Sequence, residues 1–186
     1  MTSLRLAKLS QLMSVATLIL IVVMLALNVA LWLFPSLASN EGLGLGFALT
    51  ERQLSPRTEL AALFPWWQTL GGIVLSSVPL LVLTFGLGNL RRLFQSYASG
   101  EYFSGAAALR LGKVGKAVAL WVLLDFLCEP MLSLWVTMNE PVGQKLLTVS
   151  FNAQTFVALF LAACISIIAR ILWQASEVDS ENRTFV

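Results

Sequence analysis

Four stretches of this 186-residue chain are long and apolar enough to cross a bilayer, and they leave few other folds open. They cover about residues 12–34, 67–89, 116–138 and 152–173. Each reaches the ~20 residues that a helix needs to span ~30 Å of hydrocarbon. Inside hydrocarbon the backbone must satisfy its own hydrogen bonds, so runs of Leu, Val, Ala and Ile this long read as helices. Composition removes the soluble alternative: 12% of the residues are charged, against ~25% in an ordinary soluble domain. The mean hydropathy is +0.81. The expected fold is all-α, a polytopic membrane protein with four transmembrane helices in a bundle, residues 1–186 forming one membrane domain.

The N-terminal run follows Arg5 and Lys8, as the core of a signal peptide would. It exceeds the ~7–15 residues of such a core, so it is expected to stay as the first span. Orientation follows from Lys and Arg in the connections. The N-terminal segment, the 90–116 connection and the region from Arg170 onward hold nine; the 35–66 and 139–151 connections hold Arg52, Arg57 and Lys145. Both termini should therefore face the cytoplasm, with an outer loop at 35–66, a cytoplasmic connection at 90–115 and a cytoplasmic tail at 174–186. Trp32, Trp66, Trp67, Trp135 and Trp173 fall near the span ends, where amphipathic indoles settle. In the outer loop, Ser55-Pro56 is an N-cap followed by a first-turn proline, predicting two helical turns over 57–64 closed by Pro65. The preceding NEGLGLGFALT is too rich in glycine to predict a helix; it reads as a connector or as a lip at a substrate entrance.

The third run carries its own exception, Asp125 and Glu129. A charge near the middle of a span costs at least ~2.5–3.5 kcal/mol on insertion scales, so such groups face the bundle interior. The two acids lie four apart, on one helical face, and Pro130 frees the carbonyl of residue 126 beside Glu129. Asp125 lies ~14 Å from the cytoplasmic end of its span at ~1.5 Å per residue, too deep for Arg170, which gains by reaching outward. Asn28 matches Glu129 in depth. Three readings stay open: packing residues bonded to Asn28, Ser76, Ser77 or Ser166; a proton or cation site at Glu129; or a site for a cationic or amphiphilic ligand from the outer leaflet. Asp125, Glu129 and Asn28 are thus the ligand or proton-binding candidates.

Two further segments carry pattern. After the second span, Leu90, Leu93, Phe94 and Tyr97 recur at helical spacing, predicting an amphipathic extension ended by Gly100. Ser104 then caps a short helix through Ala107 and Leu111. Arg91, Arg92, Lys113 and Lys116 can meet anionic lipid head groups. The tail is acidic, with Glu177, Asp179 and Glu181, and is expected to continue the fourth helix to about residue 180. Arg91, Arg92, Phe94, Tyr97, Glu101 and Phe103, with Glu177, Glu181 and Asn182, make the candidate cytoplasmic interaction surface.

These segments resemble a widespread bacterial family of small four-span membrane proteins catalogued as a domain of unknown function. The likeness rests on Gly100, Glu101, Phe103 and Ser104; on Leu109, Arg110 and Gly112; and on Glu177, Glu181, Asn182 and Val186. It covers roughly residues 67–186 and implies a multi-pass protein of the bacterial inner membrane. Some members of that family resemble partners of small helix-turn-helix regulators, which makes such a regulator an expected cytoplasmic partner.

The function classes separate unevenly. Histidine is absent, and the two cysteines, Cys128 and Cys164, both lie in apolar runs. No catalytic residues, metal ligands or cofactor are expected, and neither glycine run follows a strand as a phosphate loop requires. A net charge of +2 offers no argument for direct nucleic-acid binding. The expectation is a non-enzymatic regulatory or interaction protein that senses a membrane or envelope signal. The alternatives are a small oligomeric transporter or channel using Glu129, in which a homo-oligomer would supply the pathway, and a structural membrane subunit.

Overall fold

A computed structural model describes residues 2–35, 49–54, 64–99, 104–139 and 153–184. The described residues are all-α: α1 (Thr2–Leu33), α2 (Leu49–Leu54), α3 (Trp66–Ala98), α4 (Gly105–Val136) and α5 (Ala153–Thr184). Four of these are long and apolar enough to cross a membrane, over Ala7–Leu33, Trp66–Ala98, Gly105–Val136 and Thr155–Val178. Their most apolar windows are only 22, 28, 33 and 11% buried. In water such exposure would forfeit the hydrophobic stabilisation that holds a domain together. With Val74, Phe85, Phe156 and Phe160 all more than 60% exposed, the solvent that suits these surfaces is hydrocarbon. The fold is consistent with a polytopic membrane protein.

The helices outrun the predicted spans, because hydropathy marks the membrane and not the end of the helix. α3 continues past Asn89 to Ala98, where the Ser99 amide donates to the Gln95 carbonyl (3.1 Å) and the Ser99 hydroxyl to the Ser96 carbonyl (2.8 Å). Gly100, the expected stop, lies outside the described residues. The short helix expected at 104–111 is instead the first turns of α4, a single helix with no break before the span. Ser104 does cap it: the Ala107 amide donates to the Ser104 hydroxyl at 3.2 Å. α5 reaches Thr184, one turn beyond the expected end. The predicted helix over 57–64 falls outside the described residues except for Phe64. α2 was not expected at all, and it takes its first two residues from the end of the glycine-rich stretch.

Two compact units are built from these helices. The first comprises Met1–Ile21, Val82–Leu120 and Ala153–Val186. Its helices approach through small residues, which let backbones come close where no hydrophobic force drives them together. A Cβ on Gly86 would lie 2.8 Å from that of Ala117, and one on Gly115 would lie 2.5 Å from the Ser166 hydroxyl and 3.0 Å from the Ala162 carbonyl oxygen. The second unit comprises Val22–Leu81 and Trp121–Asn152. Its core is Leu31, Trp32, Leu54, Cys128, Leu132 and Val136, with Phe64, Ile73 and Leu75 packed around it.

Candidate functional site: the polar core of the second unit

Polar side chains are not spread evenly among the buried residues. Asn28, Thr50, Gln53, Gln68, Ser76, Glu129, Ser133 and Thr137 are all buried in the second unit, against Ser14, Thr17 and Asn89 in the first. Spans contribute these groups at helical intervals, so each must find its partner inside the protein.

α4 supplies the acids. Glu129 is 2% exposed, while Asp125, one turn earlier, is half-buried. The same face continues through Ser133 and Thr137, 0% and 2% exposed, at intervals of four. The Ser133 hydroxyl donates to the Pro130 carbonyl (3.0 Å), and the Thr137 hydroxyl to the Ser133 carbonyl (2.8 Å). This stripe is legible in the sequence as Glu129, Ser133 and Thr137 at a spacing of four.

α1, α2 and α3 are joined by a hydrogen-bond network around Asn28. Its amide nitrogen donates to the Ser77 hydroxyl at 3.2 Å. Its carbonyl oxygen accepts from the Thr50 hydroxyl at 2.6 Å. One turn on, the Trp32 indole nitrogen donates to the hydroxyls of Ser76 (3.2 Å) and Thr50 (3.3 Å). The Ser76 and Ser77 hydroxyls also donate to the Ile73 carbonyl, at 3.2 and 2.6 Å. Thr50 is thus the keystone, and α2 exists here because Thr50, Gln53 and Leu54 are all buried in the unit. LTERQL is rich in helix formers, but six residues are too few to hold a helix alone; its tertiary partners make it.

A second knot ties the start of α3 to the end of α4. Gln68, fully buried, donates its side-chain nitrogen to the carbonyls of Trp135 (3.0 Å) and Val136 (3.3 Å). These belong to the last turn of α4, whose carbonyls have no partner within the helix. The Trp135 indole returns a bond to the Gln68 carbonyl (2.9 Å), and the Asn139 amide donates to the Gln68 side-chain oxygen (2.9 Å). Trp67 meets Trp135 edge to face, with ring centroids 6.0 Å apart.

Two adjacent glycines hold these tryptophans. A Cβ on Gly71 would sit inside the Trp135 indole, and one on Gly72 inside the Trp32 benzo ring. One turn of α3 therefore seats an indole from α4 and another from α1. The sequence signal, a Gly-Gly pair inside a span, was there to be read.

The cytoplasmic candidates lie in the first unit. Arg92 and Glu177 are exposed; Arg91, Phe94 and Tyr97 are half-buried. The Arg91 Nε is buried without a hydrogen-bond partner. Glu101 and Phe103 are outside the described residues, and Glu181 and Asn182 are placed in α5 by backbone alone. Arg110 is an addition: its guanidinium donates to the Arg92 carbonyl (3.2 Å) and to the Ser96 hydroxyl, locking the end of α3 to the start of α4. Arg170 is exposed, and the Ser166 hydroxyl donates to the Ala162 carbonyl (2.8 Å) in its own helix. Both cysteines are free. Among the described residues, no group of three or more His, Cys, Asp or Glu side chains is placed to hold a metal ion.

The comparison with known families now has a structure to stand on. The model of the family described as "Protein of unknown function (DUF2975)" matches residues 2–186. The chain belongs to that family. The match takes in the first span and α2 as well as the connection and tail that carried the resemblance in sequence. No curated protein and no solved structure matches the chain.

Proposed function

We propose that this DUF2975 chain is a non-enzymatic, multi-pass protein of the bacterial inner membrane that senses a membrane or envelope signal and binds a cytoplasmic regulator. One observation carries the reading: the second unit buries a carboxylate, Glu129, in a core whose other polar groups are hydroxyls and amides. Such groups bind, pack and exchange hydrogen bonds. A buried acid that costs ~2.5–3.5 kcal/mol or more to insert is a functional residue by default. The Lys and Arg bias favours both termini in the cytoplasm. The surface around Arg91, Arg92, Phe94 and Tyr97, with the acidic end of α5, then faces the cytoplasm. A small helix-turn-helix regulator is the proposed partner, and anionic head groups the proposed surroundings of the basic side chains.

The test is a pull-down of the full chain after gentle solubilisation, alongside transcript profiles of the deletion strain. A soluble regulator is expected, together with a transcript change that Glu129→Gln reproduces. Recovery of no regulator and an unchanged transcript profile would refute the reading. The burial of Glu129 also favours one second reading, a small oligomeric transporter in which that carboxylate carries the proton. There, Glu129→Gln abolishes proton-coupled flux in reconstituted vesicles while the protein stays folded. Unchanged flux dismisses that alternative.

A further inference from the structure

The second unit holds a groove that the polar network does not fill. It lies between the end of α1 and the start of α3, has a volume of about 410 Å³, and is lined by Trp32, Phe64, Trp66, Thr69 and Leu70 among others. That is within the ~300–1,000 Å³ of small-molecule sites, which are mostly apolar with a few placed polar groups. Its floor and its rim differ sharply. Trp32 is 3% exposed, whereas Trp66, Leu33 and Leu70 are 76, 57 and 51% exposed.

We propose that this groove binds the acyl chain of a membrane amphiphile. The occupant follows from where the groove opens. Its exposed rim continues along α1 to Val29 and along α3 to Val74, both exposed apolar residues within the spans. A lipid tail therefore reaches the groove along a surface that already faces hydrocarbon. The level is that of the span ends, where α1 stops and α3 begins, and where indoles such as Trp66 sit at the head groups. A lining that is apolar apart from Thr69 and the indole nitrogens, open toward lipid, suits a flexible acyl chain better than a rigid polar ligand. Trp32 gives occupancy a consequence: it lines the groove, while its indole nitrogen is bonded to Thr50 of α2 and Ser76 of α3. A chain seated against Trp32 acts on the network that seats α2. The inference deepens the sensory reading above, on which it rests, by naming the class of signal as a membrane amphiphile.

The test uses the full chain in lipid nanodiscs with a diazirine-bearing palmitic acid as probe, the labelled residues being mapped by mass spectrometry. Labelling at Leu33, Trp66 or Leu70 should saturate, be displaced by plain palmitate, and be largely lost in Thr69→Phe, which fills the groove. Phe156 and Phe160 on the exposed face of α5 serve as the reference for ordinary lipid contact. If the groove residues label only in proportion to those two, without saturation or displacement, the proposal is overturned. It is equally overturned if labelling at these residues is absent; a disulfide-linked dimer of Leu70→Cys would then identify a second copy as the occupant. The displacement arm needs no variant to fold. No regulator enters the assay, so its failure is separate from that of the regulatory reading.

Discussion

Replacing Gly72 with alanine adds one methyl group, and the structure says where it goes. The new Cβ would sit inside the benzo ring of Trp32, far below the 3.0 Å that real Cβ atoms essentially never breach. The ring must move by most of an ångström to reach even that limit, yet it is 3% exposed and tethered through its indole nitrogen to Ser76 and Thr50. Overpacking of this kind costs ~1–3 kcal/mol. The two tethers, if both weaken, add ~0.6 kcal/mol each by the average for hydrogen bonds within membrane proteins. Against this stands a gain of up to ~1 kcal/mol, because alanine favours helix over glycine. The net is a loss of ~1–3 kcal/mol. Gly88 lies on the same helix and provides the control, for a Cβ there meets nothing within 4 Å. Gly88→Ala keeps only the propensity gain and should be neutral or stabilising by up to ~1 kcal/mol. The assay is reversible unfolding in mixed micelles as the denaturing detergent is raised, followed by circular dichroism. Trp32→Phe deletes the clashing ring atoms, so the double variant with Gly72→Ala should lose less than the sum of the two single changes, with a coupling of ~0.5 kcal/mol or more. Equal stability of Gly72→Ala and Gly88→Ala, or strict additivity in the double variant, would refute the reasoning.

Gln68→Ala should destabilise by ~1–2 kcal/mol, since three side-chain hydrogen bonds at ~0.6 kcal/mol each are lost; faster amide exchange confined to the last turns of α4 is the sign to look for. Thr50→Val removes the hydroxyl that Asn28 and Trp32 share and should release α2, seen as increased protease or spin-label accessibility at Gln53, with the four spans intact. Gly115→Ala should weaken the contact between α4 and α5, and Ser166→Ala should restore part of the loss. Full rescue would contradict the geometry, because the Ala162 carbonyl oxygen still lies 3.0 Å from the new Cβ.

What the sequence made legible divides along a physical line. The four spans are written as hydropathy, which acts residue by residue, and each predicted window falls within or against a long helix. Glu129 was placed inside the bundle by the cost of exposing a charge to lipid, and it is buried. What depends on partners was not visible. Asn28 was matched by depth to Glu129, and it bonds Ser77 and Thr50, a residue assigned to a connector. α2 is a helix only because Asn28 and Trp32 receive it. Gln68 carries no mark in the sequence of its role, which is to cap the neighbouring helix. The continuation of α4 through residues 105–116 does not show in hydropathy, which marks the membrane and not the helix; Gly105, Gly112 and Gly115 are the places where α5 comes close.

The seating of Thr50 also orders events during biogenesis. α1 and α3 each carry enough apolar surface to enter the membrane separately, but neither offers α2 a complete set of partners. The acceptor on Asn28 comes from one helix and the Ser76–Trp32 bond from both. α2 therefore has no reason to exist until the first two spans have been inserted and have found each other. A topology reporter would pass a chain with a damaged α2 as normal, since every span would face the right way. The fault would surface only later, as a correctly threaded protein that the membrane's quality-control proteases remove.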